Sequence, residues 1–236
     1  MRPPSLPTLC GLYGLGNRQL DQLDAVLGGL AEDEYAPTTV RDARLAIDVH
    51  LADSLAALEL GAVRAAGTIA DLGAGAGFPG LVLAVAVPGA EVTLVESQAR
   101  KCAFIERLRT VAEIENARVV CTRAEEWGDG LRRNGVIVAR ALAAQSVVLE
   151  YAAPLLEMGG VLVDWRGRRD VDEETDALCA AEQLGLRRLE IRHTEPYDGA
   201  RDHHLHVFEK VAETPARFPR RAGMARKRPL GHRAAR

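Results

Sequence analysis

The 236-residue chain has no apolar run of the roughly 18 residues that a membrane-spanning helix needs. Its longest clean candidate, Leu81–Val87, is stopped by Pro88-Gly89. The opening stretch MRPPSLPTL lacks the apolar segment and small-residue cleavage site of a secretory signal, so a cytoplasmic location is expected. Cysteine is scarce. Cys10, Cys102, Cys121 and Cys179 form no C-x-x-C pair and no Cys/His cluster at metal spacing, so they read as isolated thiols in a reducing compartment, and no metal is expected. No internal repeat of fixed period is present.

Charge is unevenly distributed. The formal net charge is -3, yet residues 217–236 hold 8 of the 30 Lys and Arg and no acid. The remainder carries 22 basic residues against all 33 acidic ones. A basic tail on an acidic body suits an anionic partner, although a solubilising tail has the same composition.

Residues 1–17 are rich in Pro and Gly and read as disordered or loosely packed. A helical segment is predicted over 18–66, with stripes at Leu20, Leu23, Val26, Leu27 and Leu30, then at Ile47, Leu51, Leu55 and Leu58. From Gly67 short apolar strands alternate with helices. Strands are predicted at Thr68–Leu72, Glu91–Val95, Arg118–Cys121, Val136–Val138 and Val161–Asp164. Helices are predicted at Leu81–Val87, Gln98–Ile114 (with Phe104, Ile105, Leu108, Val111 and Ala112 inward), Ser146–Leu156 and Asp170–Leu184. Leu189–His193 and His204–Lys210 alternate like an antiparallel pair. This pattern predicts an α/β fold: a doubly wound, mostly parallel Rossmann-like sheet over residues 67–212, ending in an antiparallel hairpin, with the basic tail over 213–236.

The strongest local feature is Asp71-Leu72-Gly73-Ala74-Gly75-Ala76-Gly77-Phe78-Pro79-Gly80, between a predicted strand and helix. Doubly wound sheets bind ligands at the carboxyl ends of their strands, and glycines let a ligand approach the backbone. Two ligands compete. Gly75-x-Gly77-x-x-Gly80 fits a dinucleotide fingerprint, whereas Asp71 followed by Gly73, Gly75 and Gly77 fits an S-adenosyl-L-methionine site. Glu96, ending the second strand, could meet the ribose hydroxyls of either. Asp71 favours S-adenosylmethionine, because a dinucleotide has no need of it, and the chain after residue 140 is too short for a dehydrogenase substrate domain.

The segment DLGAGAGFPGLVLAVAVPGAEVTLVESQARKCAFI resembles the nucleotide-binding half of the RsmG family of 16S rRNA guanine-N7 methyltransferases, also called glucose-inhibited division protein B. HLADSLAAL (50–58), RAEEW (123–127), VIVARALA (136–143) and FPRRAGMARKRPL (218–230) are similar to further stretches of that family, in order, so the resemblance covers roughly 45–230. It implies a class I methyltransferase with S-adenosyl-L-methionine as cofactor and small-subunit rRNA as substrate. It also implies cofactor contacts from Gly73, Phe78, Ala124, Glu125 and Arg140. The chain departs from the family upstream of His50, where it reads EYAPTTVRDARLAIDV, and after the fifth strand, where Trp165-Arg166-Gly167 replaces a Lys-Gly. These departures bear on the helical cap and the RNA surface.

Phosphate contacts are expected from Arg166, Arg168, Arg169, Arg220, Arg221, Arg226, Lys227 and Arg228. His203, His204 and His206 read as ordinary strand and turn residues. Guanine N7 offers a free lone pair, so no catalytic acid or base is assigned. A monomer is expected. The competing readings are a methyltransferase acting on another RNA or a small molecule, and a non-catalytic RNA-binding protein on the same scaffold.

Overall fold

The computed structural model describes residues 5–40 and 42–231. Its core is a seven-stranded sheet of order β3-β2-β1-β4-β5-β7-β6. The strands are β1 Thr68–Leu72, β2 Glu91–Glu96, β3 Ala117–Cys121, β4 Asn134–Arg140, β5 Leu156–Arg166, β6 Leu186–Thr194 and β7 His203–Lys210. The first five are parallel, and β7 runs antiparallel to both β5 and β6. Chain order reverses between β1 and β4, which opens a crevice at their carboxyl ends.

Alternation along each strand divides the core into two layers. Ile69, Val92, Leu94, Val136, Val138 and Val163 face one layer, while Ala70, Val95, Ile137, Ala139 and Leu162 face the other. Helices α6 Gly80–Ala86 and α7 Ala99–Val111 cover the first, with α2 Asn17–Glu32 packed on them. Helices α8 Gln145–Ala152 and α9 Val171–Leu184 cover the second. Phe104, Ile105, Leu108 and Ala112 point inward as predicted, but Val111, the last residue of α7, is 62% exposed. Among the described residues no helix is long and apolar enough to cross a membrane.

Three regions differ from the sequence reading. Within the stretch read as disordered lies α1, Leu6–Tyr13, with Leu6, Leu9 and Cys10 buried. Residues 1–4 lie outside the described residues. Pro and Gly are not breakers in this case: Pro7 sits in the first turn, where no amide hydrogen is missed, and Gly14 caps the end in the left-handed region at φ 72°.

The helix predicted over 45–60 is irregular. It is α-helical at α3 Ala43–Ala46, π-helical over Ile47–Ala52, α-helical at α4 Asp53–Leu55 and 3-10 over Ala56–Glu59. The π turn shifts the facing of the next residues, so that His50, Asp53 and Ser54 are buried beside Leu51 and Leu55. A short α5, Gly61–Arg64, leads into β1.

The basic tail is folded as far as it is described. Phe218 and Ala225 are buried in the second layer, and α10 Met224–Lys227 packs on α8. The cause is a buried acid. Glu150 of α8, 1% exposed, takes Arg220 Nε at 2.8 Å on Oε1 and Arg220 Nη2 at 2.5 Å on Oε2. A buried carboxylate needs such a partner, and the guanidinium fork supplies it. The last five tail positions, 232–236, lie outside the described residues.

Candidate functional site

The glycine turn begins where β1 ends at the crevice. Gly73 has φ 73°, a left-handed backbone that favours glycine, and a Cβ there would come within 2.5 Å of Leu142 Cδ1 and displace that side chain. At Gly80 a Cβ would lie 2.7 Å from Asp71 Oδ2 and 2.8 Å from Leu94 Cδ2. Glycine at that point lets α6 approach the strand closely enough for Gly80 N–H to donate to Asp71 Oδ2 at 2.8 Å.

Asp71 is 1% exposed, and its Oδ1 has no partner. Burial pushes its pKa up to about 7, against the opposing effect of the Gly80 hydrogen bond. An unmatched buried acceptor of this kind costs about 1–3 kcal/mol, and a donor from a ligand or water would remove the cost. Glu96 lies beside it at the end of β2. Its Oε2 accepts from Gly75 N at 3.0 Å and its Oε1 from Gln98 N at 2.9 Å. A carboxylate has about four acceptor positions, so capacity for ligand hydroxyls remains. Gly77 sits inside the turn, its N–H bonded to Ala74 O at 2.7 Å.

A cleft of about 250 Å³ opens against these residues. Of the expected cofactor contacts, Gly73, Ala124 and Glu125 line it directly. Asp71, Gly75, Gly77 and Glu96 form the turn and carboxylates behind it. Ser97, Gln98, Thr122, Arg123, Leu142, Tyr151 and Arg226 complete the walls. The sequence reading did not assign these to the cofactor. Ser97, Gln98, Thr122 and Arg123 come just after the ends of β2 and β3, a position that could have flagged them. Nothing local marks Tyr151 of α8 or Arg226 of the tail. Arg226 Nη2 donates to Leu142 O at 2.8 Å, and Gly223 N donates to Glu125 Oε1 at 2.9 Å, so the tail closes one side of the cleft.

Phe78 and Arg140 belong to a neighbouring polar cluster. The Phe78 ring stacks on His50 at 4.4 Å with planes 3° apart. Burial, then the Arg140 charge, lowers the His50 pKa to about 4, so the ring is neutral at neutral pH. Arg140, ending β4, donates from Nη1 to Asp53 Oδ2 at 2.7 Å and to Val49 O at 3.1 Å. Asp53 Oδ1 meets His203 Nδ1 at 3.0 Å, and its backbone carbonyl accepts from Trp165 Nε1 at 3.0 Å. The irregular helix is thus tied to the carboxyl ends of β4 and β5. The three neighbouring histidines separate: His203 to Asp53, His204 to Gly167 O, and His206 to Gln145. Among the described residues no group of three or more His, Cys, Asp or Glu could hold a metal.

The expected phosphate contacts also divide. Arg166 is paired with Glu173 and bonded to Ala143 O at 2.8 Å. Arg169 grips Glu174 through two bonds of 2.7 Å, and Arg220 is held by Glu150. Arg168, Arg221, Lys227 and Arg228 are exposed. The cysteines are not all isolated, contrary to the sequence reading: Cys102 Sγ lies 2.7 Å from Cys121 Sγ. Nineteen residues separate the two in sequence, but α7 folds back beside β3 and brings them together.

The fold is shared with known methyltransferases. A geranyl diphosphate methyltransferase in complex with S-adenosylmethionine superposes with TM-score 0.56 at 16% identity, covering 78% of this chain and 95% of that one. Fibrillarin from Aeropyrum pernix, with natively bound S-adenosyl-L-methionine, gives 0.52 at 16% identity, covering 66% and 72%. Sequence relatives are nearer. A ribosomal RNA small subunit methyltransferase G from Syntrophomonas wolfei is 38% identical over 186 residues, 78% of this chain and 86% of the relative. One of the same name from Chloroflexus aggregans is 37% identical over 223 residues, 92% and 90%. The family described as rRNA small subunit methyltransferase G matches residues 21–201, and this chain belongs to that family, GidB.

Proposed function

We propose that the chain methylates N7 of a guanine in 16S ribosomal RNA of the small subunit, with S-adenosyl-L-methionine as methyl donor. The observation that carries this reading is the cleft at the β1/β4 crevice, lined by Gly73 and the Ala124–Glu125 turn and backed by the Glu96 carboxylate that holds Gly75. The residues fit the cofactor: the unmatched Asp71 Oδ1 suits an ammonium or its bridging water, and Glu96 keeps acceptor capacity for ribose hydroxyls. When bound, the cofactor supplies an electrophilic methyl group on a positively charged sulfur.

Guanine N7 needs no deprotonation, so the residues have to hold the reactants in line rather than move a proton. Glu96, Ala124 and Glu125 hold the nucleoside part of the cofactor. Arg140, fixed by Asp53 and Val49 O, is the arginine this reading assigns to the cofactor and substrate cleft. Exposed Arg168, Arg221, Lys227 and Arg228 engage phosphates, whereas Arg166, Arg169 and Arg220 are occupied by Glu173, Glu174 and Glu150.

The test is to incubate the protein with methyl-labelled S-adenosylmethionine and small-subunit rRNA from cells lacking the gene, then map the label. Label on a single guanine N7 supports the reading. No label on free RNA or intact subunits, with cofactor binding retained, discards the rRNA assignment but keeps the cofactor site.

A further inference from the structure

Cys102 and Cys121 lie on the far side of Glu96 from the cofactor cleft. Cys102 stands in the first turns of α7 and is buried, while Cys121 ends β3 and is exposed. Their sulfurs are 2.7 Å apart, inside normal van der Waals contact, so the two side chains already reach each other. Cys121 opens on a groove of about 470 Å³, which gives a small oxidant access. Cys102 Sγ also lies 3.2 Å from the backbone carbonyl of Glu96, so its S–H can donate to that oxygen or to Cys121.

We propose that Cys102 and Cys121 form a reversible intrachain disulfide in the presence of a hydroperoxide, and that this disulfide weakens cofactor binding. The exposed Cys121 thiolate attacks the terminal oxygen of the hydroperoxide. An S–O bond forms, the O–O bond breaks, and the leaving alkoxide, or hydroxide when the oxidant is hydrogen peroxide, takes a proton to become an alcohol or water. Cys102 sulfur then attacks the sulfenic sulfur of Cys121. The S–S bond forms, the S–O bond breaks, and the departing hydroxide takes the Cys102 proton to leave as water. Two thiols have lost two electrons, and the hydroperoxide has gained them. Burial and the Cys121 neighbour push the Cys102 pKa up to about 12, which fits Cys102 as the resolving thiol and not the attacking one.

Two links connect the disulfide to the cleft. It removes the S–H that the Glu96 carbonyl accepts, next to the carboxylate that holds Gly75. It also pins α7 to the residue preceding Thr122 and Arg123, which line the cleft. The first half of the proposal, the disulfide itself, is independent of the rRNA reading; the second rests on the cofactor site alone.

The experiment treats the reduced full-length protein with hydrogen peroxide, counts free thiols and maps peptides without reduction. Two of the four thiols should be lost, with residues 102 and 121 joined and the linkage reversed by dithiothreitol. Calorimetric titration with S-adenosylmethionine should show Kd raised about fivefold on oxidation, the net worth of one hydrogen bond. Linkage then requires saturating cofactor to shift the thiol–disulfide equilibrium towards the dithiol by the same factor. Cys121→Ser, an exposed change, should retain cofactor binding, form no cross-link and show no change on peroxide treatment. Absence of the 102–121 linkage, or a linkage with unchanged Kd, would overturn the proposal.

Discussion

Asp53 and Arg140 meet at 2.7 Å across 87 residues of sequence, joining the irregular helix to the carboxyl end of β4. Their side chains are 6% and 18% exposed, so neither charge is well solvated if the other is removed. Asp53→Ala is expected to cost about 3 kcal/mol of stability, measured as a shift in urea midpoint. It should also lower kcat for rRNA methylation more than it raises the KM for cofactor, because Arg140 would lose its fixed position. Asp53→Asn, which can still accept from Arg140, should recover most of the stability.

Arg226 reaches the cleft although it lies in a run of basic residues. Arg226→Ala removes the bond to Leu142 O and one wall of the cleft. Cofactor Kd is expected to rise five- to tenfold, about 1 kcal/mol, with the thermal midpoint nearly unchanged. An unchanged Kd with weakened RNA binding would return Arg226 to the phosphate contacts.

Neighbouring arginines in the tail should behave oppositely. Arg220→Ala leaves the buried Glu150 carboxylate without its partner and should cost about 3–5 kcal/mol. Arg221→Glu with Lys227→Glu should leave stability within about 0.5 kcal/mol. These reversals should weaken RNA binding and reduce its log–log salt slope by about 0.7 for each lost phosphate contact. Full RNA affinity at every salt concentration would make the exposed tail a bystander.

Stability should depend on pH through two opposing pairs. Burial raises Asp71 and Asp164 to about 7, so between about 4 and 7 the folded state binds more protons than the unfolded chain, and stability falls as pH rises. Burial lowers His50 and His206 to about 4, so between about 4 and 6.5 the unfolded chain binds more protons, and stability rises with pH. The wild-type urea midpoint should therefore change little over that shared window. Asp71→Asn removes one falling contribution and should make the midpoint rise with pH there. A slope identical to wild type would show that Asp71 is ionised in the folded protein.

The parts legible in the sequence are those whose residues are close along the chain. Short apolar runs marked the five parallel strands and alternation the closing antiparallel pair, and Asp71–Gly80 with Glu96 marked the crevice because a turn and the next strand end must share it. The Asp53–His203 contact, 150 residues apart, left no local signal, and neither did Cys102 with Cys121. The π turn at Ile47–Ala52 was hidden because one inserted residue alters facing without altering the apolar count. In α1 and in the tail, composition misled: Pro and Gly in one, and Arg in the other, were placed by caps and a buried acid.

The order of strands has a consequence for the protein during its synthesis. Strand β7 lies between β5 and β6, so the outer edge of β5 has no partner until residues up to Lys210 have been made. On the ribosome the first five strands can assemble early, but they present an open edge beside apolar Val161, Leu162 and Val163 until β7 has been made. A nascent chain stalled before β7 would be adhesive rather than merely inactive, because the edge of β5 is covered only once β7 has joined it.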